Sequence, residues 1–238
     1  MNKIYLTGDK HATSIPFSYD VNFRLNVDTD ETDILIVLGD FGLLWNAKPE
    51  HTEKRMAQIL SSFPYQVFFV DGNHENHTRL DTLPTISRFG GEMGQYNDQI
   101  FHLKRGEIYN IYDNKFFVMG GANSIDKFHR QEHISWWRRE TPSTQEFDYA
   151  LANLEKHDKK VDYILSHTGP KSILTKYVKT LNESLEIEKD ITSDFFEYLI
   201  SNDFNISFKK WYFGHMHDNV TIDNDFELLY EDIVELGD

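Results

Sequence analysis

Apolar residues come along this chain in short unbroken runs rather than in strict alternation. Residues 4–6, 34–38, 67–70, 116–119, 163–165 and 211–213 read Ile-Tyr-Leu, Ile-Leu-Ile-Val-Leu, Val-Phe-Phe-Val, Phe-Phe-Val-Met, Tyr-Ile-Leu and Trp-Tyr-Phe. Runs this short, rich in β-branched and aromatic residues, predict strands. Their lack of polar alternation predicts a sheet covered on both faces. Between them, 50–62, 144–157 and 193–201 space apolar residues at helical intervals: Met56, Ile59 and Leu60; Phe147, Leu151 and Leu154; Phe196, Leu199 and Ile200. These segments predict helices packed by one face, the second with Thr144 as its cap. A late run at 226–230 predicts one more strand, in a hairpin after Asp223-Asn224-Asp225. Strands alternating with helices predict a layered α/β fold.

The polar residues that follow these runs carry the chemistry. Gly8-Asp9-Lys10-His11 follows the first run, Gly39-Asp40-Phe41-Gly42 the second, and Asp71-Gly72-Asn73-His74-Glu75 the third. Ser166-His167 follows 163–165, and Gly214-His215-Met216-His217 follows 211–213. In open α/β sheets, ligands bind beyond the carboxyl ends of the strands. Five such ends pointing one way would gather Asp, Asn and His into one site. A lone Asp-x-His is more often a turn; five ends in this order are not explained that way. Two hard cations sharing a site need a bridging carboxylate, terminal imidazoles and an open position. Asp40, isolated after its strand, is the natural bridge. His215 and His217, alternate residues at a strand end, can reach different ions. Asn73 offers a neutral oxygen beside a phosphate, and His74 is placed to act on substrate. The other histidines (His51, His77, His102, His129, His133 and His157) match no such context and read as surface or satisfied core residues.

Composition narrows the chemistry. The chain has 238 residues, 39% hydrophobic and 14% aromatic, enough for a substantial core. It has no cysteine, which excludes disulfides and thiolate ligation. A metal would sit on oxygen and imidazole, the chemistry of Mn, Fe, Mg, Ni or a His/Asp-bound Zn. The formal net charge of −15 disfavours a nucleic-acid partner without excluding one, because bound cations reverse the sign locally. No apolar run approaches the roughly 20 residues of a membrane span, and the first run is too short for a signal-peptide core. The expectation is a cytoplasmic protein with no membrane partner. The charged stretch 179–190 reads as a solvated surface segment. Residues 123–140 concentrate His129, Arg130, His133, Trp136, Trp137, Arg138 and Arg139. Arg pairs with phosphate and Trp stacks on a base, so this segment reads as a substrate wall, with Arg130, Trp136 and Arg138 as substrate-binding candidates.

The ordered set Asp9-x-His11, Gly39-Asp40, Gly72-Asn73-His74-Glu75, a lone His167 and Gly214-His215-x-His217 resembles the calcineurin-like metallophosphoesterase superfamily. The likeness runs from Asp9 to His217. It implies a four-layer fold, a β-sandwich of two mixed sheets flanked by helices, forming a single domain over 1–238. It implies two divalent metal ions, Mn first, with Fe, Zn, Ni or Mg as alternatives. Asp9, His11 and His217 would hold one ion, Asn73, His167 and His215 the other, and Asp40 would bridge. His74 would be the general acid or a phosphate contact. The chain departs from the signature at Leu43, where the family has Asp, and at Leu44, where its Ser/Thr protein phosphatases have Arg. That counts against a protein phosphatase of that kind. Phe41-Gly42 with Trp45, Gly120-Gly121-Ala122 and Ser135-Trp136-Trp137 also resembles small metallophosphoesterases of bacteria and their mobile elements. The implied activity is hydrolysis of a small phosphodiester or phosphomonoester, such as a nucleotide, by metal-activated water. A nuclease or nucleic-acid end-processing enzyme is the alternative within the superfamily. A non-catalytic binding module is the alternative outside catalysis, and such relatives lose ligands or the catalytic His, whereas all eight residues stand here.

Overall fold

All six apolar runs form strands in the computed structural model, which describes residues 2–11, 23–25, 27–48, 50–181 and 190–237. Of the charged stretch 179–190, residues 182–189 lie outside these. The first sheet is built on β1 (Ile4–Thr7), β2 (Ile34–Leu38) and β3 (Gln66–Val70), which run parallel side by side. β4 (Thr85–Arg88), β5 (Gly91–Gln95) and β6 (Ile100–Leu103) extend it, β6 lying parallel to β3 and the other two antiparallel. The two-residue β13 (Val234–Glu235) closes the other edge against β1, giving the order β13-β1-β2-β3-β6-β5-β4.

The second sheet contains β7 (Ile108–Ile111), β8 (Asn114–Met119), β9 (Tyr163–Ser166), β10 (Lys210–Phe213), β11 (Val220–Ile222) and β12 (Phe226–Leu228). Its order is β11-β12-β10-β9-β8-β7, with a parallel middle and antiparallel edges. β11 and β12 form the hairpin around residues 223–225. Both sheets are therefore mixed, as the sandwich requires.

Two-sided burial accounts for the unbroken apolar runs. In β2, Ile34, Ile36 and Leu38 join Phe68, Phe116, Val118 and Tyr212 in the core between the sheets. Leu35 and Val37 point the other way, onto Met56, Ala57 and Leu60 of α1 (His51–Leu60). Across the molecule, Phe117, Ile164 and Trp211 bury against α3 (Thr144–Lys156), α4 (Lys171–Thr180) and α5 (Ile191–Ile200). A polar residue on either face would lose its water, so neither face can alternate. A single helical turn, α2 (His77–Leu80), follows the Asn73-His74 loop. Among the described residues no helix is long and apolar enough to cross a membrane.

One local expectation is corrected. The cap of α3 is Ser143, and Thr144 is the first helical residue. Ser143 Oγ accepts from the Glu146 amide, and the Glu146 carboxylate accepts from the Ser143 amide at 2.7 Å. This reciprocal box satisfies two orphan amides, which Thr144 cannot do.

Candidate active site

The carboxyl ends of β1, β2 and β3 in one sheet meet those of β9 and β10 in the other. Cross-links between the loops hold them together. The His11 amide donates to the Asp40 carbonyl at 2.7 Å, and the Gly214 amide to the His167 carbonyl at 2.8 Å. His167 Nδ1 lies 2.9 Å from the carbonyl of Leu38, the last residue of β2, so this side chain ties one sheet to the other. That bond also leaves its Nε2 free of a proton on the neutral ring, facing the site.

The backbone is strained where the candidate ligands sit. Asp9, His11, Asp40, His215 and His217 have φ of 41°, 44°, 48°, 73° and 52°. Non-glycine residues seldom occupy this region, at a cost on the order of 1–3 kcal/mol each. Side-chain bonds hold the bends: the His215 amide donates to Asp9 Oδ2 at 2.7 Å and the His74 amide to Asp40 Oδ1 at 2.8 Å. Gly72 is required by a close approach, since a Cβ there would lie 2.2 Å from Asp40 Oδ1 and 2.5 Å from the Asp40 amide.

The strain brings ligand atoms together. One atom each from Asp9, His11, Asp40 and His217 lies within 4.8 Å of all the others. His11 Nε2 and His217 Nε2 face each other at 3.3 Å. Asp40 spans two groups: Oδ2 is 3.7 Å from His11 Nε2, and Oδ1 is 3.4 Å from His167 Nε2. His167 Nε2 is in turn 3.0 Å from Asn73 Oδ1, and the His215 ring packs edge-on against His167 with centroids 4.9 Å apart.

A cation fits this arrangement. Asp9 Oδ1 is buried and has no hydrogen-bond partner, an expensive condition for a carboxylate. Two imidazole nitrogens on one ion at about 2.1 Å stand roughly 3.0–3.4 Å apart, and the His11–His217 pair has that spacing. Burial pushes the Asp9 carboxyl up to about 8, despite the opposing pull of His167. Burial lowers His11 to about 4 and His215 to about 3, so both rings are neutral near pH 7. Metal ligation needs neutral imidazole and ionised carboxylate, and a cation would lower Asp9 again. His167 differs: burial alone would lower it, but Asp40 outweighs burial and raises it to about 10. The same pair holds the Asp40 carboxyl low against its burial. A cation taking Asp40 would displace the proton from His167.

His74 stands beside this cluster. Its ring stacks on Trp45 at 5.4 Å and lies edge-on to His11 at 5.3 Å. The Arg130 guanidinium sits 3.2 and 3.3 Å from its two nitrogens and pairs with Asp126 at 2.7 Å. Glu75 is not a partner of His74. It is fully buried and accepts from the amides of Phe41 at 2.7 Å and Gly72 at 2.6 Å, clipping two site loops together.

The wall segment 123–140 divides. Arg130 lines the cavity of about 500 Å³ over the candidate ligands, together with Asn73, His74 and Asp40. Trp136 and Arg138 are not among its lining residues; Arg138 is exposed and pairs with Glu132 at 3.4 Å. The buried tryptophan is Trp137, edge-on to Trp45 at 5.6 Å. The same segment supplies two residues whose importance is not visible in the sequence. Ser124 Oγ accepts from Asn73 Nδ2 at 3.0 Å and donates to Glu140 Oε2 at 2.5 Å. This relay turns Asn73 Oδ1 toward His167. Arg105 extends it, bonding Asp71 at the end of β3 and the carbonyls of Arg139 and Glu140.

Known proteins resemble this chain in sequence or in fold. Over 169 residues the chain is 27% identical to a lariat debranching enzyme of Schizosaccharomyces pombe, a match covering 64% of this chain and 35% of that protein. The chain thus spans about a third of that relative's length. The solved structure of a phosphopantetheinyl hydrolase from Mycobacterium tuberculosis superposes with a TM-score of 0.51 at 14% identity, covering 97% of this chain and 90% of the other. At that identity the likeness is one of fold. The family model for calcineurin-like phosphoesterases matches residues 3–219, nearly the whole span from β1 past His217. The chain belongs to the calcineurin-like phosphoesterase family.

Proposed function

We propose that this chain hydrolyses a small phosphodiester or phosphomonoester, such as a nucleotide, using two divalent cations, with Mn first among the candidates. Asp9, His11 and His217 would hold one ion, Asn73, His167 and His215 the other, with Asp40 shared. The observation that carries this reading is the placement of Asp40, whose two oxygens address different imidazoles at 3.7 and 3.4 Å. Bound there, the ions would supply a water of lowered pKa and neutralise charge on the phosphoryl oxygens.

The chain's own groups do the rest. Arg130 offers a fixed guanidinium beside His74, suited to pairing with a phosphoryl oxygen. Burial lowers the His74 pKa, Asp40 opposes this, and Arg130 adds to the lowering. The neutral ring therefore serves as a hydrogen-bond donor to the phosphate or the departing oxygen. Trp45 stacks on this ring and holds its plane, a positioning role.

The test compares bis-p-nitrophenyl phosphate with p-nitrophenyl phosphate, with Mn and with chelator. Activity on neither substrate with any of Mn, Fe, Zn, Ni or Mg would refute the hydrolase reading. His74→Ala should lose roughly 100-fold or more in kcat while retaining both ions by metal analysis. An emptied site in that variant would reverse the division between ligand and donor. A second reading, nucleic-acid processing, is favoured by the relative named a lariat debranching enzyme. Cleavage of single-stranded RNA or DNA, in preference to mononucleotide esters, would establish it over the first.

A further inference from the structure

The chain beyond residue 219, where the family match ends, still reaches the candidate site. After β12, residues 229–232 bond to both loops that carry Asp9, His11 and His217 before the chain enters β13. The Leu229 amide donates to the Phe213 carbonyl at 2.8 Å, just ahead of Gly214. Gly8 leaves room for the Leu229 carbonyl, which a Cβ there would strike. Lys10, between Asp9 and His11, is buried and donates from Nζ to the carbonyls of Tyr230 and Glu231 at 3.1 and 3.2 Å. Thr7 Oγ donates to the Asp232 carbonyl at 2.8 Å. From the other loop, Asn219 Oδ1 accepts the Tyr230 amide at 2.7 Å. The Tyr230 backbone is thereby fixed by both loops.

Its ring meets His217. The two rings stack with centroids 4.7 Å apart and planes 15° apart, the spacing of a favourable offset pair. His217 needs such a neighbour more than any other proposed ligand. Its side chain is 50% exposed, whereas the others are buried or half-buried. His167 has its ring fixed by the Nδ1 contact with the Leu38 carbonyl. Among the described residues no group bonds His217 Nδ1. Its Nε2 lies 3.3 Å from His11 Nε2 and 3.7 Å from Asp9 Oδ1. Turning the ring about its Cβ–Cγ bond would swing Nε2 out of line with both. The other ring against it, His11 edge-on at 5.4 Å, is itself a proposed ligand.

We infer that Tyr230 is the positioning residue of His217: its ring holds the imidazole plane so that Nε2 stays aimed at the ion shared with Asp9 and His11. This rests on the ligand assignment proposed above. That last torsion of a histidine is broad, so a half-exposed ring freed from the stack samples many rotations. Only the aligned fraction can ligate, and apparent affinity falls with that fraction. The loss should fall on one ion, because Tyr230 stacks on none of Asn73, His167 and His215.

The test titrates metal-free protein with Mn by calorimetry, as wild type and as Tyr230→Phe, Tyr230→Leu and Tyr230→Ala. Wild type should show two sites. Tyr230→Phe keeps the ring and should bind both ions as wild type does. Tyr230→Leu keeps an apolar contact without a flat face. It and Tyr230→Ala should weaken one site by roughly tenfold, the low end of what outer partners of metal ligands supply, and leave the other unchanged. Tyr230→Leu binding both ions as wild type does overturns the inference, because the flat face is then irrelevant. Tyr230→Phe losing as much as Tyr230→Ala overturns it, because the hydroxyl and not the ring is then at work. Equal weakening of both sites overturns it as general loosening. His217→Ala is the control for the underlying assignment: if it binds both ions as wild type does, or if wild type binds fewer than two, the ligand assignment itself falls and the inference with it.

Discussion

Ser124→Ala isolates the brace behind Asn73. In the native protein Asn73, Ser124 and Glu140 are 4%, 2% and 1% exposed, so no water can replace a lost partner cheaply. The substitution removes the acceptor of Asn73 Nδ2 at 3.0 Å and the hydroxyl that Glu140 Oε2 accepts at 2.5 Å. An orphaned buried donor costs about 1–3 kcal/mol, and a hydrogen bond to a charged group contributes about 1.5–3 kcal/mol. Glu140 keeps the Ser124 amide at 2.9 Å, so the two losses do not add in full. A net destabilisation of about 2 kcal/mol corresponds to a Tm decrease of roughly 4–8 °C at this size. The functional effect is separate. Without Ser124 the Asn73 amide is free to turn its oxygen away from His167. Loss of such an outer partner typically costs about 10–100-fold in metal affinity. Calorimetric titration of metal-free protein with Mn should show one of two sites weakened by that factor and the other nearly unchanged. Ser124→Thr, which keeps the hydroxyl, should restore most of the affinity. If Ser124→Ala lowers Tm but binds both ions as wild type does, the relay merely packs and the reasoning about Asn73 is wrong.

Three further outcomes follow from the same geometry. Asp40→Asn should weaken both ions together, read by metal content after dialysis; loss of one ion alone would show that Asp40 is not shared. Gly72→Ala places a Cβ 2.5 Å from the Asp40 amide, a backbone atom that cannot yield easily; the cost should be at least about 1–3 kcal/mol in thermal or denaturant unfolding, and wild-type stability would refute the close approach. In chelated protein, burial holds the Asp9 and Glu75 carboxyls up near 8. Their folded pKa values exceed the unfolded ones, so the folded state keeps protons that the unfolded chain releases, and the stability this gives is lost as pH rises through about 8. Tm of the metal-free protein should therefore fall between about pH 7.5 and 8.5, above the value of about 6.5 at which His11 and His215, lowered in the folded state, titrate in the unfolded chain, and Mn should flatten the fall; a Tm that rises over this window without metal would contradict the buried-carboxylate account.

The eight candidate residues were legible because each lies within a few positions of a strand end. Strand, turn and ligand are then neighbours in sequence, and the apolar run announces all three. Strands β4 and β5 were not legible: the exposed and half-buried residues of β4, and β5 with its Gly91 and Gly94, hold strands only because β4 pairs with β5 and β5 with β6. The helix α4 carries ordinary helical spacing in Ile173, Leu174, Tyr177 and Val178, but its burial depends on sheet packing far along the chain.

Within residues 123–140 the sequence determined only that arginine and tryptophan were plentiful. Packing decided that Arg130 reaches His74, that Arg138 faces water, and that Trp137 rather than Trp136 is buried. The same holds for Ser124 and Glu140, which carry no local mark of a link to Asn73. Their contacts join positions 51 and 16 residues apart, and the His167 bond to Leu38 joins positions 129 apart. A ligand's type and its place after a strand are local properties, so the chain alone sets them. Which polar neighbour completes its hydrogen bonds depends on how two sheets stack, and only the folded structure decides that.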